Sequence, residues 1–331
     1  MTRVVQRWMM ALLAVLLLAS PAESREPTEF EQFMLELINR ARANPNGEVT
    51  RLSALPWGDD GTATPDLNEG LVAGTISSAA KQPLAFNLLL IDAASDYADT
   101  LLANDAFDHE FAGTTPSSRM TVAGYSFDPP PAGSGENLAV TASSGPHPIN
   151  AERIEDHHAS LFVDRNVPGR GHRVNLMSPD FQEVGLGVRS AGDYGLFPGA
   201  PNAVLTVQNF AFTNGNPFLT GVAYLDVDQD GFYTPDIGEP VGGLTVQAFE
   251  PGTSNSVGST TTFASGGYSL RLAPGTYDVV FSGPGFQRLV AGFDFTGGQN
   301  VKLDALVPEP SGLVLLALGL VALLPLVRRR R

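Results

Sequence analysis

The stretch GHRVNLMSPDFQEVGLGV, Gly171–Val188, sets a histidine between a glycine and an arginine and then runs into a valine-rich alternation. EVGLGVRS at its end and AVLTVQNFAF at 203–212 carry the pattern of two strands. Upstream, EFEQFMLELINRARANP begins at Glu29 and spaces Phe30, Phe33, Met34, Leu37, Ile38 and Ala41 at helical intervals. Arg40 and Arg42 fall toward its C-terminal end, where cations oppose the helix dipole, and Pro45 stops it. The spacing predicts a helix with one buried face. PLAFNLLLIDAASDYADTLLANDAF predicts a second helix through Leu88, Ile91, Ala94, Ala98 and Leu101 or Leu102, ending near Asp108, His109 and Glu110. A third helical pattern covers roughly Ile149–Phe162, whereas 56–75 and 124–135 read as loops. Helices and strands mixed in one unit imply a layered α/β fold.

His109, Glu136 and His172 come from separate elements, so only folding can bring them together. Two imidazoles and a carboxylate suit zinc or another divalent transition metal, or a histidine base held by an acid. There is no HExxH spacing and no GxSxG elbow. Cysteine chemistry is excluded, because the chain contains no cysteine.

LELINRARANP, the helix that leads to His109, GENLA at Gly135–Ala139, the Gly171–Val188 stretch and TVQNF at Thr206–Phe210 occur in an order that resembles the bacterial CAP superfamily, also called SCP-like. The resemblance spans roughly residues 28–213. It implies an α-β-α sandwich with an open cleft holding two histidines and two acids, and His109, Glu136 and His172 match three of these positions. The fourth departs from the family pattern: in IEDHHASLFVDRNVPGRGHR, Glu155, His158 and Asp164 all remain candidates. The family also implies roles in peptide processing, lipid binding or extracellular recognition.

After Asn214-Gly215-Asn216-Pro217 the grammar changes. LTGVAYL, GLTVQAFE, GGYSLRL, GTYDVVFS and QNVKLDAL read as strands of a second, smaller β-sandwich. Within AYLDVDQDGFYTPDIGEP, Asp226, Asp228 and Asp230 alternate before Gly231, and Asp236 and Glu239 could close an oxygen shell around calcium. The string resembles the SdrD B-like repeats of bacterial surface proteins, which implies an immunoglobulin-like, calcium-bound β-sandwich over residues 218–306.

The two ends read as targeting signals. Arg3 and Arg7, the apolar run from Trp8 to Ala19 and small residues near Ala22 have the grammar of a secretory signal over residues 1–22. Residues 307–331 join Val307-Pro308-Glu309-Pro310 to an apolar stretch, Leu313 to Val327, and to Arg328–Arg331. This tail resembles the PEP-CTERM sorting signal of Gram-negative bacteria. The expectation is a transmembrane helix that anchors the chain transiently in the inner membrane, with the product at the cell envelope or surface or released, after processing by signal peptidase and an exosortase-type enzyme.

The whole chain of 331 residues has a formal charge of −15, and residues 23–307 carry 14 basic and 34 acidic side chains, a net of −20. That balance opposes nucleic acid as a partner. The expectation is therefore an exported envelope protein whose cleft binds a divalent metal and a small or lipidic ligand, with a lipid, peptide or envelope component as partner. The alternatives are a metal-assisted or histidine-assisted hydrolase of peptide or ester bonds, and a structural or adhesive surface protein.

Overall fold

The computed structural model describes residues 24–308. Helix α1, Glu29–Ala43, starts at a reciprocal cap: Thr28 Oγ1 accepts from the Glu31 N–H at 3.2 Å, and Glu31 Oε2 accepts from the Thr28 N–H at 2.8 Å. Pro45 ends α1 as expected and also opens a short second helix, α2, Pro45–Arg51, since a proline at the first helical position leaves no N–H unpaired. Strand β1, Ala85–Phe86, leads into α3, Leu88–Ala103, and then α4, Pro116–Val122. Strand β2, Gly133–Ser143, precedes α5, Ala151–Val163, and α6, Gly171–Met177. Strands β3, Glu183–Ala191, and β4, Asn202–Phe212, complete the unit.

The sheet order is β1-β3-β4-β2, with β1 parallel to β3 and the other pairs antiparallel. Successive residues of β3 face opposite layers. A Cβ at Gly185 would lie 1.9 Å from the Leu90 carbonyl carbon and one at Gly187 2.6 Å from that of Ala94, so the two glycines let α3 lie directly on the sheet. Val184, Leu186 and Val188 cluster instead with Phe33, Leu37 and Ile38 of α1. The result is the helix–sheet–helix layering of a CAP-like sandwich.

A separate, β-sheet-rich domain follows. It comprises β5, Phe218–Tyr224, β6, Thr245–Phe249, β7, Ser256–Thr261, β8, Gly267–Arg271, β9, Gly275–Gly283, and β10, Phe286–Phe295. Two short strands, β11, Val301–Lys302, and β12, Ala305–Leu306, end it. One sheet is β10-β9-β6-β7, while β5 pairs with β8, β11 and β12. Leu219, Val246, Tyr268, Phe281 and Phe295 from both sheets share one core. The domain is tied to the first by Asn300, whose N–H donates to Gln82 Oε1 and whose amide donates to the Pro83 and Gln182 carbonyls, and by the Arg271–Glu183 and Lys302–Glu36 ion pairs.

The expectation of a transmembrane helix, and with it of an inner-membrane anchor, is corrected: among the described residues no helix is long and apolar enough to cross a membrane. The stretch on which it rested, Leu313 to Val327, lies outside the described residues, as does the secretory signal at 1–22.

Candidate functional site

His109 sits in the loop after α3, fixed by its own backbone. Tyr97 of α3 donates its hydroxyl to the Asp108 carbonyl, and Arg119 of α4 donates to the His109 carbonyl at 3.2 Å. Glu136 projects from β2 opposite Asn209 of β4, and its side chain is 1% exposed. His109 Nδ1 meets Glu136 Oε1 at 2.9 Å, while Arg119 occupies Oε2 at 2.6 Å. Oriented to suit its neighbours, the Asn209 amide also donates to Oε2 at 3.2 Å.

His172 lies in the first turn of α6. Its Nδ1 is 2.7 Å from Asp164 Oδ1, and Asp164 Oδ2 accepts the backbone N–H groups of His172 and Arg173 at 2.8 and 3.2 Å. One carboxylate therefore orients the ring and caps the helix that carries it. Asp164 reaches back because it ends α5 in the left-handed conformation, at φ 53° and ψ 38°. The two imidazole rings stand 6.3 Å apart, centre to centre.

The structure thus brings together His109, Glu136, His172 and Asp164. It does not bring Glu155 or His158 to them. His158 is buried on Glu48, Nε2 to Oε1 at 3.0 Å, and Glu155 lines a different cavity beside Arg40 and Arg51. Neighbouring His157 is also buried, held between Thr141 Oγ1 at 2.9 Å and Thr206 Oγ1 at 2.8 Å. Tyr97 and Arg119 escaped the sequence reading: the Arg119 guanidinium stacks 3.3 Å above the Tyr97 ring, yet neither residue belongs to a recognisable string.

Within the cleft both Nδ1 atoms are engaged by carboxylates, and among the described residues neither Nε2 has a hydrogen-bond partner. Carboxylate–imidazole pairs of this kind fix the tautomer and present the far nitrogen to a metal or a proton. Both oxygens of Glu136 are already engaged, Oε1 by His109 and Oε2 by Arg119. The donor set suits a divalent transition metal, although two imidazoles sharing one ion at about 2.0–2.1 Å per bond sit roughly 5 Å apart. The rings would have to approach by about 1 Å, and His109, with its side chain 47% exposed, is the less enclosed of the two.

Among the described residues, three carboxylates do converge, in the second domain. Asp226, Asp228 and Glu239 each offer an oxygen within 4.8 Å of the others. Glu239 is fully buried, and burial pushes its carboxyl up, helped by the charges of Asp228 and Asp226 and opposed by the Thr234 and Val227 N–H groups. A cation would relieve that cost. Asp230 and Asp236 turn elsewhere, Asp230 accepting from the Phe232 N–H at 2.7 Å and Asp236 from the Ala151 N–H at the start of α5 at 2.9 Å.

Comparison with known families matches residues 35–210 to the Cysteine-rich secretory protein family (CAP) and residues 220–307 to the Carboxypeptidase regulatory-like domain. Among solved structures the chain is similar to an extracellular protein containing a SCP domain from Bacillus anthracis str. Ames, at 22% identity and a TM-score of 0.26, covering 40% of this chain and 35% of that one. It thus spans about a third of that protein's length. It is also similar to an outer surface protein from Borrelia burgdorferi, at 21% identity and a TM-score of 0.27, covering 39% of this chain and 77% of that one. For BmVAL-1 the values are 12% identity, a TM-score of 0.32, 59% of this chain and 82% of that one. No curated protein matches.

Proposed function

We propose that this chain, which belongs to the cysteine-rich secretory protein (CAP) family, is an exported protein whose cleft holds a divalent transition metal between His109 and His172. The observation that carries the reading is the pair of buried carboxylates, Glu136 and Asp164, that engage both Nδ1 atoms and leave both Nε2 atoms open. A metal bound there would supply Lewis acidity toward an oxygen of a small or lipidic ligand. Glu136 and Asp164 hold the rings, and Arg119 holds Glu136. With two protein ligands rather than three, the ion is exchangeable, and its remaining positions belong to water or to the ligand. A serine hydrolase finds no support: among the described residues no hydroxyl is bonded to either Nε2.

Native mass spectrometry of residues 23–307 with added Zn2+ tests it. In a protein whose acidic loop is disabled by Asp226→Asn/Asp228→Asn, one ion should be retained and then lost when His109→Ala/His172→Ala is added, and Asp164→Asn should weaken binding about 10- to 100-fold. Zinc retained unchanged after the histidine substitutions would refute the cleft assignment.

The reading extends to the second domain as an immunoglobulin-like, SdrD B-like spacer that binds calcium through Asp226, Asp228 and Glu239. Calcium at about a hundred times its dissociation constant should stabilise the domain by roughly 2.7 kcal/mol. Thermal melting with and without chelator should show this gain, and the gain should vanish in Asp226→Asn/Asp228→Asn. An unchanged melting temperature would remove calcium from the account.

A further inference from the structure

Behind the histidine cleft lies a second cavity, of about 660 Å³, between α3 and α4. It shares Tyr97 and Arg119 with the support of His109. Its lining is divided. Leu89, Phe111 and Val122 are apolar, and Val122 is 88% exposed, an apolar lip with nothing over it. Asp92 and Asp96, one helical turn apart on α3, place two carboxylates along one rim.

Arg25 already lies across that rim. Its backbone N–H donates to Asp92 Oδ1 at 3.0 Å and its guanidinium to Asp96 Oδ1 at 3.1 Å. These are the contacts an extended basic chain makes with an acidic groove. The ion pair is weak, because its side chains are 42% and 73% exposed. The segment is therefore displaceable. Arg119 also lines the cavity, where its guanidinium stacks on the Tyr97 ring. The Arg119 side chain is only 9% exposed, yet its Nε has no acceptor.

We propose that this cavity is a binding groove for an extended basic peptide, independent of the metal reading. An arginine or lysine of the peptide pairs with Asp92 and Asp96, an apolar side chain packs on Leu89, Phe111 and Val122, and the protein's own Arg25 occupies the groove in the peptide's absence. The net charge of −20 over residues 23–307 favours the encounter with a basic partner.

The test is fluorescence anisotropy with a labelled hexapeptide carrying one arginine and, two positions later, one phenylalanine, against the intact protein. Binding should tighten about fivefold in Arg25→Ala, the scale of one exposed ion pair. It should weaken at least tenfold in Asp92→Asn/Asp96→Asn, and should disappear when glutamate replaces the arginine of the peptide. Unchanged thermal melting of both protein variants confirms that they are folded. Absence of binding by the Arg25→Ala protein, or binding that survives either the Asp92→Asn/Asp96→Asn change or the glutamate peptide, would overturn the proposal.

Discussion

The Arg42→Met protein is expected to unfold at markedly lower urea concentration, with a loss of about 3–5 kcal/mol. Arg42 is completely buried and has no carboxylate partner. Its Nε donates to the Gln82 carbonyl at 2.8 Å, and its two terminal nitrogens donate to those of Leu176 at 2.8 Å, Ser178 at 2.9 Å and Phe181 at 3.2 Å. One planar fork thus fastens α1 to the end of α6 and to the segment entering β3. Methionine fills much of the same volume but leaves three buried carbonyls, and the part-buried one of Ser178, without donors, each buried one costing about 1–3 kcal/mol before relaxation. Release of the buried charge offsets part of that sum. Lysine should fail to rescue, since a single ammonium cannot reproduce the fork. Urea unfolding followed by Trp57 fluorescence measures the loss, and a change below about 1 kcal/mol would contradict the assignment.

Acid should remove a comparable amount of stability in two stages. Burial, with the Arg153 and His147 charges adding to it, depresses His157 from 6.5 to about 3. Between those values the unfolded chain binds a proton that the folded one refuses, so stability falls as pH drops from 6.5 toward 3. The loss is about 1.4 kcal/mol per pH unit, on the order of 5 kcal/mol in all. Glu48 adds a lower stage. Burial pushes its carboxyl up, but the hydrogen bonds and charges of His158 and Arg40 outweigh that and hold it at about 2 against 4.5. Its contribution is therefore present above 4.5 and lost as pH falls through 2. Urea-derived stabilities measured over this range should slope throughout. His157→Gln, neutral at every pH, should flatten the profile between 6.5 and 4.5 and leave below 4.5 only the slope that Glu48 supplies. A flat wild-type profile there would show that His157 does not titrate as its burial requires.

Much of the first domain was legible because its signals are local. The Pro45 stop, the helical spacing of Phe33, Leu37 and Ile38, and the alternation in β3 and β4 each act within a few residues. β2 was harder: its opening Gly-Ser-Gly-Glu-Asn reads as a turn, and only pairing with β4 makes it a strand. β7, poor in apolar residues, and β10 went unread for a similar reason, since neighbouring strands supply their stability.

The candidate site divides in the same way. His109, Glu136 and His172 stand in strings that carry a family resemblance, whereas Asp164 was one of three candidates that spacing could not separate. What selects it is backbone conformation: positive φ at Asp164, Asn166, Gly169 and Arg170 folds the α5–α6 loop back so that Asp164 meets His172. Glu155 and His158, inside a regular helix, lack that freedom. Arg119 and Tyr97 were invisible because their role lies in a stacked contact across two helices.

The central claim is that two buried carboxylates hold His109 and His172 with Nδ1 protonated and Nε2 open to a metal. Long-range proton–nitrogen correlation spectra of the imidazoles at mildly alkaline pH, with and without Zn2+, read this directly. The account predicts that both rings carry the proton on Nδ1 and that Zn2+ shifts both Nε2 resonances while leaving His157 unchanged. Rings protonated on Nε2, or Nε2 resonances indifferent to zinc, would contradict it.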